Sequence, residues 1–187
     1  MQNYTAIWLY DNSATAYSNN TNNGASATAF DLFGQSTDVL YLGFERETKG
    51  GVFTLTTNGS YGAFTYSYWS GSAWVQIIPI VAYTFNQSKY FLINPPADWQ
   101  PRTFTATDPH TATLPDSISR YWLKITTASV TTTSVCTRVY AIPEISYTTP
   151  TQVYQLLQFK QDFTNTSTPS RRAVIELIKR AESKIDY

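Results

Sequence analysis

The stretch Phe64-Thr-Tyr-Ser-Tyr-Trp69-Ser-Gly-Ser-Ala73-Trp-Val-Gln-Ile-Ile78 decides the fold class. Phe64, Tyr66 and Tyr68 alternate with Thr65, Ser67 and Trp69, the period of two that puts one face of a strand against a core. Ser70-Gly71-Ser72 is a tight hairpin connection, and Ala73–Ile78 returns antiparallel. The same grammar recurs outward in both directions. Upstream, Val52–Thr57 places Val52, Thr54 and Thr56 on one face and Phe53 and Leu55 on the other, and Asn58-Gly59 turns the chain. Val39–Phe44 reads as a buried strand, followed by a polar turn through Glu45–Gly51. Tyr4–Tyr10 is a short alternating stretch, and Asn12–Ala27, rich in Ser, Asn, Thr and Gly, reads as a loop or frayed segment. Downstream, Tyr90–Ile93 is stopped by Asn94-Pro95-Pro96. Tyr121, Leu123 and Ile125 share one side of Tyr121–Thr127, and Val135–Ile142 closes the set. Short strands with Gly, Pro and Asn between them, and no helix interposed, predict an antiparallel β-sandwich of jelly-roll type over residues 1–147.

Composition agrees. Of 187 residues 42% are apolar, enough for a core, and 16% are aromatic. Thr (28) and Ser (17) make up about a quarter of the chain, the mixture that fits a pleated, half-buried surface. Lys+Arg and Asp+Glu balance at 13 each, which removes the electrostatic case for whole-chain binding to nucleic acid or to an anionic membrane. Cys136 is the single cysteine, so no internal disulfide framework and no Cys-rich zinc site is expected. No apolar run approaches the roughly 18–20 residues that span a bilayer. Met1–Asp11 lacks the pattern of a signal peptide, so the expected place of synthesis is a cytoplasm. The sequons at Asn3, Asn19, Asn58, Asn86 and Asn165 then read as accidents of composition.

After Ile145–Thr149 the character changes, and residues 148–187 read as a helical segment. Thr149-Pro150-Thr151-Gln152 is a capping box, with Val153, Leu156 and Leu157 on one face behind it. Thr168-Pro169 opens a second helix, with Thr168 as N-cap. Val174, Leu177, Ile178, Ala181 and Ile185 form its apolar stripe, and Arg171, Arg172, Glu176, Lys179, Arg180 and Glu182 its polar face. Residues 152–187 hold six basic and four acidic side chains, a net of +2. Two short helices with narrow stripes cannot make a core of their own. They pack on the sandwich or on another chain, and the second helix either frays after Ile185 or has its stripe completed by a neighbouring subunit.

The residues for catalysis are sparse. His110 is the one histidine, in a polar run with Asp108 and Asp116 to hand but no Gly-x-Ser-x-Gly elbow. Asp38, Glu45, Glu47 and Asp98 show no spacing that favours a carboxylate pair. Gly50-Gly51 lacks the Lys-Ser/Thr of a P-loop and opens a strand. No enzyme, cofactor or metal site is expected. Aromatic residues offer binding instead. Tyr66, Tyr68, Trp69, Trp74, Tyr90, Trp99 and Trp122 can fill a core poor in Leu, the expectation for Trp74, Trp99 and Trp122. Alternatively they form a flat platform for sugar rings, for which Tyr68 and Trp69 are the candidates.

Four pieces carry a family likeness: Asp38-Val-Leu-Tyr-Leu-Gly-Phe44, Tyr68-Trp-Ser-Gly-Ser-Ala-Trp-Val75, Pro96-Ala-Asp-Trp99 and Tyr121-Trp-Leu-Lys-Ile125. Their order and spacing resemble β-sandwich modules of tailed-phage baseplate and tail proteins over roughly residues 15–142. Phe163-Thr-Asn-Thr-Ser-Thr-Pro-Ser170 with Val174 through Asp186 resembles the N-terminal helices of phage and archaeal-virus head-tail connectors. The resemblance implies a non-enzymatic virion protein, a ring-forming adaptor, connector or tail component, with portal, connector or tail subunits as partners. No membrane and no sequence-specific nucleic acid is among the expected partners. The expected assembly interface is Val153, Leu156, Leu157, Arg171, Arg172, Val174, Leu177, Ile178, Lys179, Arg180 and Ile185. The alternative is a carbohydrate- or host-receptor-binding module.

Overall fold

Among the described residues, alternation and turn chemistry resolve into antiparallel sheets with two short helices. The structure, a computed structural model, describes residues 2–4, 6–103, 116, 118–143, 164 and 169–182, with backbone alone at 2, 3, 143, 171 and 179–182. In chain order the elements are β1 (Gln2–Asn3), β2 (Ala6–Asp11), β3 (Ala16–Asn19), α1 (Thr21–Ser26), β4 (Phe30–Leu32), β5 (Val39–Phe44), β6 (Thr48–Thr57) and β7 (Ser60–Tyr61). There follow β8 (Phe64–Trp69), β9 (Trp74–Ile77), β10 (Lys89–Leu92), β11 (Tyr121–Thr127), β12 (Val130–Thr132), β13 (Ser134–Pro143) and α2 (Arg171–Glu182).

One sheet runs β1-β13-β6-β10, with β4 also on β13. A six-stranded sheet runs β3-β2-β5-β11-β8-β9, and β7 pairs with β12. The principal core draws on both larger sheets. Ile7, Leu9, Leu40, Leu42, Tyr66, Leu123 and Ile125 come from the six-stranded sheet, and Phe30, Leu32, Phe53, Phe91, Cys136 and Val139 from the other. Phe85 lies at the centre of this packing, with Phe33, Phe53, Phe64 and Tyr83 rings 4.2–5.6 Å away. Trp99 and Trp122 are buried as expected, but in different places. Trp99 is in the principal core, and Trp122 joins Trp8, Tyr10 and Tyr41 in a second cluster on the other face of the six-stranded sheet. At β2 and β5 that sheet is therefore apolar on both faces, which is why β5 is buried at every position.

The expected loop Asn12–Ala27 instead holds β3 and α1. Asparagine side chains close the local bonds: Thr21 N–H donates to Asn19 Oδ1 (3.0 Å) and Asn23 Nδ2 to Asn20 Oδ1 (3.0 Å). Thr21 Oγ1 accepts the Ile7 N–H (2.9 Å), so a tertiary bond fixes the helix start. The turn expected through Glu45–Gly51 is shorter, because β6 begins at Thr48.

The chain divides into two compact units, Met1–Pro95 with Trp99–Pro143, and Pro96–Asp98 with Glu144–Tyr187. In the second, α2 is the described element. It starts at Arg171, not Pro169: Ser170 is the cap, its Oγ accepting the Ala173 N–H (3.3 Å). The helix expected behind Thr149-Pro150, with Val153, Leu156 and Leu157, lies outside the described residues, as does Ile185.

Candidate functional site

The β8–β9 hairpin builds a cation–aromatic surface on the outer face of the six-stranded sheet. Its turn is closed by Ser70 N–H donating to Ala73 O (3.0 Å), with Gly71 at φ +97°, a conformation that favours glycine. That pairing sets Trp69 opposite Trp74, and the two rings meet edge to face at 5.7 Å. Both are half-buried. The Arg102 guanidinium lies 3.9 Å above the Trp69 ring, and the Lys124 ammonium 5.3 Å from the Trp74 ring.

Each cation is positioned by backbone. Arg102 and Arg120 exchange N–H···O bonds (2.8 and 3.0 Å), and the Arg102 carbonyl accepts the Trp122 Nε1 proton (2.8 Å). Lys124 stands between Ser67 of β8 and Tyr41 of β5. Beneath them the rings run on from Trp74 to Tyr41 (5.9 Å), Tyr17 (6.1 Å) and Tyr10 (4.9 Å). Asp116 anchors the buried end: its Oδ2 accepts from Trp8 Nε1 and Arg120 Nε (3.3 Å each), and its Oδ1 from the Ile118 N–H (3.0 Å). The surface combines two half-buried indole rings with two cations, a guanidinium and an ammonium.

The structure separates the two residues expected to form a glycan platform. Tyr68 faces inward, buried and packed edge-on against Trp99 (6.2 Å), while Trp69 faces outward. Adjacent strand residues point to opposite faces, so Trp69's partner is Trp74. Nothing in the sequence marks Arg102 or Lys124 as site residues. Lys124 alternates with Trp122 legibly enough, but its approach to Trp74 depends on the strand order β11-β8-β9.

The carboxylates considered for chemistry are dispersed. Asp38 is a buried staple: its carboxylate accepts N–H bonds from Asn12 (3.0 Å), Gly34 (2.7 Å) and Gln35 (3.1 Å). Glu45 is exposed, Glu47 and Asp98 are half-buried, and His110 and Asp108 lie outside the described residues. Among the described residues no group of three or more His, Cys, Asp or Glu could hold a metal ion. Cys136 is buried, and burial pushes its thiol up to about 12.

On α2, Val174 and Ile178 are buried, whereas Leu177 is 60% exposed and Arg172 is exposed. The side chains of Arg171, Lys179 and Arg180 lie outside the described residues. A second exposed apolar group follows β9: Ile78 is 84% and Ile80 69% exposed. No helix among the described residues is long and apolar enough to cross a membrane. Comparison with protein-family models, curated proteins and solved structures returns no match.

Proposed function

We propose that the chain is a non-enzymatic structural protein of a virus particle, made in the host cytoplasm and acting at the head-tail junction or in the tail. In this reading the two larger sheets form a jelly-roll-like sandwich that serves as a rigid body. Residues 148–187 dock on neighbouring subunits, first on copies of the same chain in a closed ring and then on portal, connector or tail proteins. The observation that carries it is Leu177, a large apolar side chain left 60% exposed on a helix whose Val174 and Ile178 are already covered. A ring contact is heterologous, so a surface of this kind meets a different surface on the next copy. The test is native mass spectrometry with negative-stain imaging of the purified full chain. Closed rings are expected, lost on Leu177→Glu with the circular dichroism spectrum unchanged. A chain that forms no ring, or a ring indifferent to Leu177→Glu, overturns the proposal.

A second reading is favoured by the Trp69–Trp74 pair under Arg102: a carbohydrate- or receptor-binding module selecting acidic sugars. Binding on a glycan array, abolished by Trp69→Ala in a folded protein, supports it. A blank array removes it.

A further inference from the structure

The six-stranded sheet ends on β9, which among the described strands pairs with β8 alone. Terminal strands are normally guarded by charge, above all lysine, because their outward N–H and C=O groups template further pairing. The contrast with the edge of the other sheet is direct. There β10 carries exposed Lys89, and its Leu92 bonds with Val81 (3.0 and 3.2 Å). β9 itself carries no such guard: between Lys49 and Lys89 the chain has no charged side chain, and the cations near it, Lys124 and Arg102, come from elsewhere in the chain and lie against the Trp74 and Trp69 rings. Instead the strand and the residue after it show Val75 (38% exposed) and Ile78 (84%), while the Ile80 N–H bonds the Leu92 carbonyl of β10 (2.7 Å).

The phase of the hairpin tells which backbone groups face out. Ser70 N–H bonds Ala73 O, and Trp69 O accepts the Gln100 N–H (2.9 Å) on the side away from β9. With alternate bonded and non-bonded pairs, Tyr68/Val75 and Tyr66/Ile77 are the bonded ones. Gln76, opposite Ser67, therefore turns its N–H and C=O outward, and its side chain is exposed. Pro79 has no N–H and ends any pairing beyond Ile78.

We propose that β9 is a self-pairing edge: two copies meet antiparallel about a twofold axis through Gln76, joining their six-stranded sheets edge to edge. In this register Gln76 faces its own copy, Ile78 comes beside Trp74 of the second copy, and Val75 beside Ile77. A second copy of β9 is the occupant because a twofold contact sets every central group against itself. That is tolerable where the facing side chains of the strand carry no charge, as Trp74, Val75, Gln76, Ile77 and Ile78 do not. The other end of the same sheet, β3, offers Ala16, Tyr17, Ser18 and Asn19, a poor match for Val75 and Ile78. Two isoleucines and a valine per copy are a small patch beside the roughly 800 Å² per partner of a standard interface, so the dimer is a micromolar one.

The inference does not rest on the virion reading, and the test keeps the two apart by using the full chain carrying Leu177→Glu, in which α2-mediated assembly is absent. Sedimentation equilibrium across roughly 1 to 500 µM should show a monomer–dimer equilibrium. Gln76→Lys alone and Gln76→Glu alone should each weaken it by about tenfold or more, since like charges then face each other. Mixing the two variants should restore a heterodimer at least as tight as the parent, a recovery that only a residue facing its own copy allows. A chain monomeric throughout, a dimer unmoved by either substitution, or a mixture that fails to recover overturns the proposal.

Discussion

Replacing Tyr61 by Phe removes one oxygen from the point where three strands meet. The Tyr61 Oη donates to the Leu32 carbonyl of β4 (3.1 Å), accepts the Ser134 backbone N–H of β13 (2.6 Å), and is 2.8 Å from Ser134 Oγ. A phenol has one proton and two acceptor sites. With the proton on Leu32, Ser134 Oγ must be the donor, and every capacity of the oxygen is used. The ring would keep its neighbours Phe33 (5.9 Å) and Phe64 (5.4 Å), so the substitution isolates the polar contribution. If only net hydrogen-bond strength were lost, the cost would be about 1 kcal/mol. Ser134 and Leu32 are fully buried, however, and each group left without a partner costs about 1–3 kcal/mol. The desolvation penalty wins, and the expected loss is roughly 2–4 kcal/mol out of a total near 5–15 kcal/mol. Urea unfolding followed by tryptophan fluorescence measures it. At a slope of about 2 kcal/mol/M the midpoint should fall by roughly 1–2 M with the slope unchanged. A loss below about 0.5 kcal/mol would mean that water replaces the hydroxyl, and that Tyr61 does not hold the three strands together.

Three further outcomes follow from burial and close approach. Burial raises Tyr4, Tyr61, Tyr66 and Tyr83 above the usual tyrosine value and Cys136 to about 12. Their folded values exceed the unfolded ones, so this stability is complete below about pH 9 and is lost as pH rises further, at up to about 1.4 kcal/mol per pH unit for each fully buried group. Thermal melts from pH 7 to 11 should therefore be level to about pH 9 and then fall; a melting temperature that holds to pH 11 contradicts this. Cys136 should resist a thiol reagent at pH 8 in the native protein and react at once in denaturant. Gly43→Ala should cost about 1–3 kcal/mol, because the added Cβ would come within 2.7 Å of Trp122 Cζ3 and 2.8 Å of Arg120 Cδ, and Trp122 is fully buried. Equal melting temperatures for Gly43→Ala and the parent would show that Trp122 can shift.

Strands whose period is set by their own side chains were legible in the sequence. Val39–Phe44, Phe64–Trp69 and Tyr121–Thr127 coincide with β5, β8 and β11 residue for residue. Elements made by tertiary bonds were not. The helix α1 has the composition of a loop; the bond from the Ile7 N–H to Thr21 and the asparagine side-chain bonds about its first turn hold it. The two-residue strand β7 owes its place to the contact of Tyr61 with Ser134, far away in sequence. The candidate surface shows the same division. Trp69 and Trp74 could be picked out from a hairpin motif, whereas Arg102 reaches Trp69 only because its backbone is laddered to Arg120.

Where the function lies follows from which surfaces the fold has already consumed. A sheet with one wet face can bind or dock over its whole width, but β2 and β5 are apolar on both sides. Leu9, Leu40 and Leu42 go into the principal core, while Trp8, Tyr10 and Tyr41 lie under the second cluster. Their outward positions have been spent on rings packed against rings. Relief comes at the sheet's two ends: β3 is exposed at Ala16, Ser18 and Asn19, and toward β8 and β9 the outward residues change to Thr65, Ser67 and Gln76 and the two half-buried tryptophans meet Arg102 and Lys124. The exposed Ile78 directly follows β9 in the chain. Recognition by the tryptophans and pairing along β9 would therefore compete for one strip of sheet, because Trp74 belongs to both. A glycan that stacks on Trp74 should weaken the β9 dimer, and dimerisation should weaken glycan binding by the same factor, as linkage requires. Two independent strengths, unaffected by each other, would place the glycan away from Trp74.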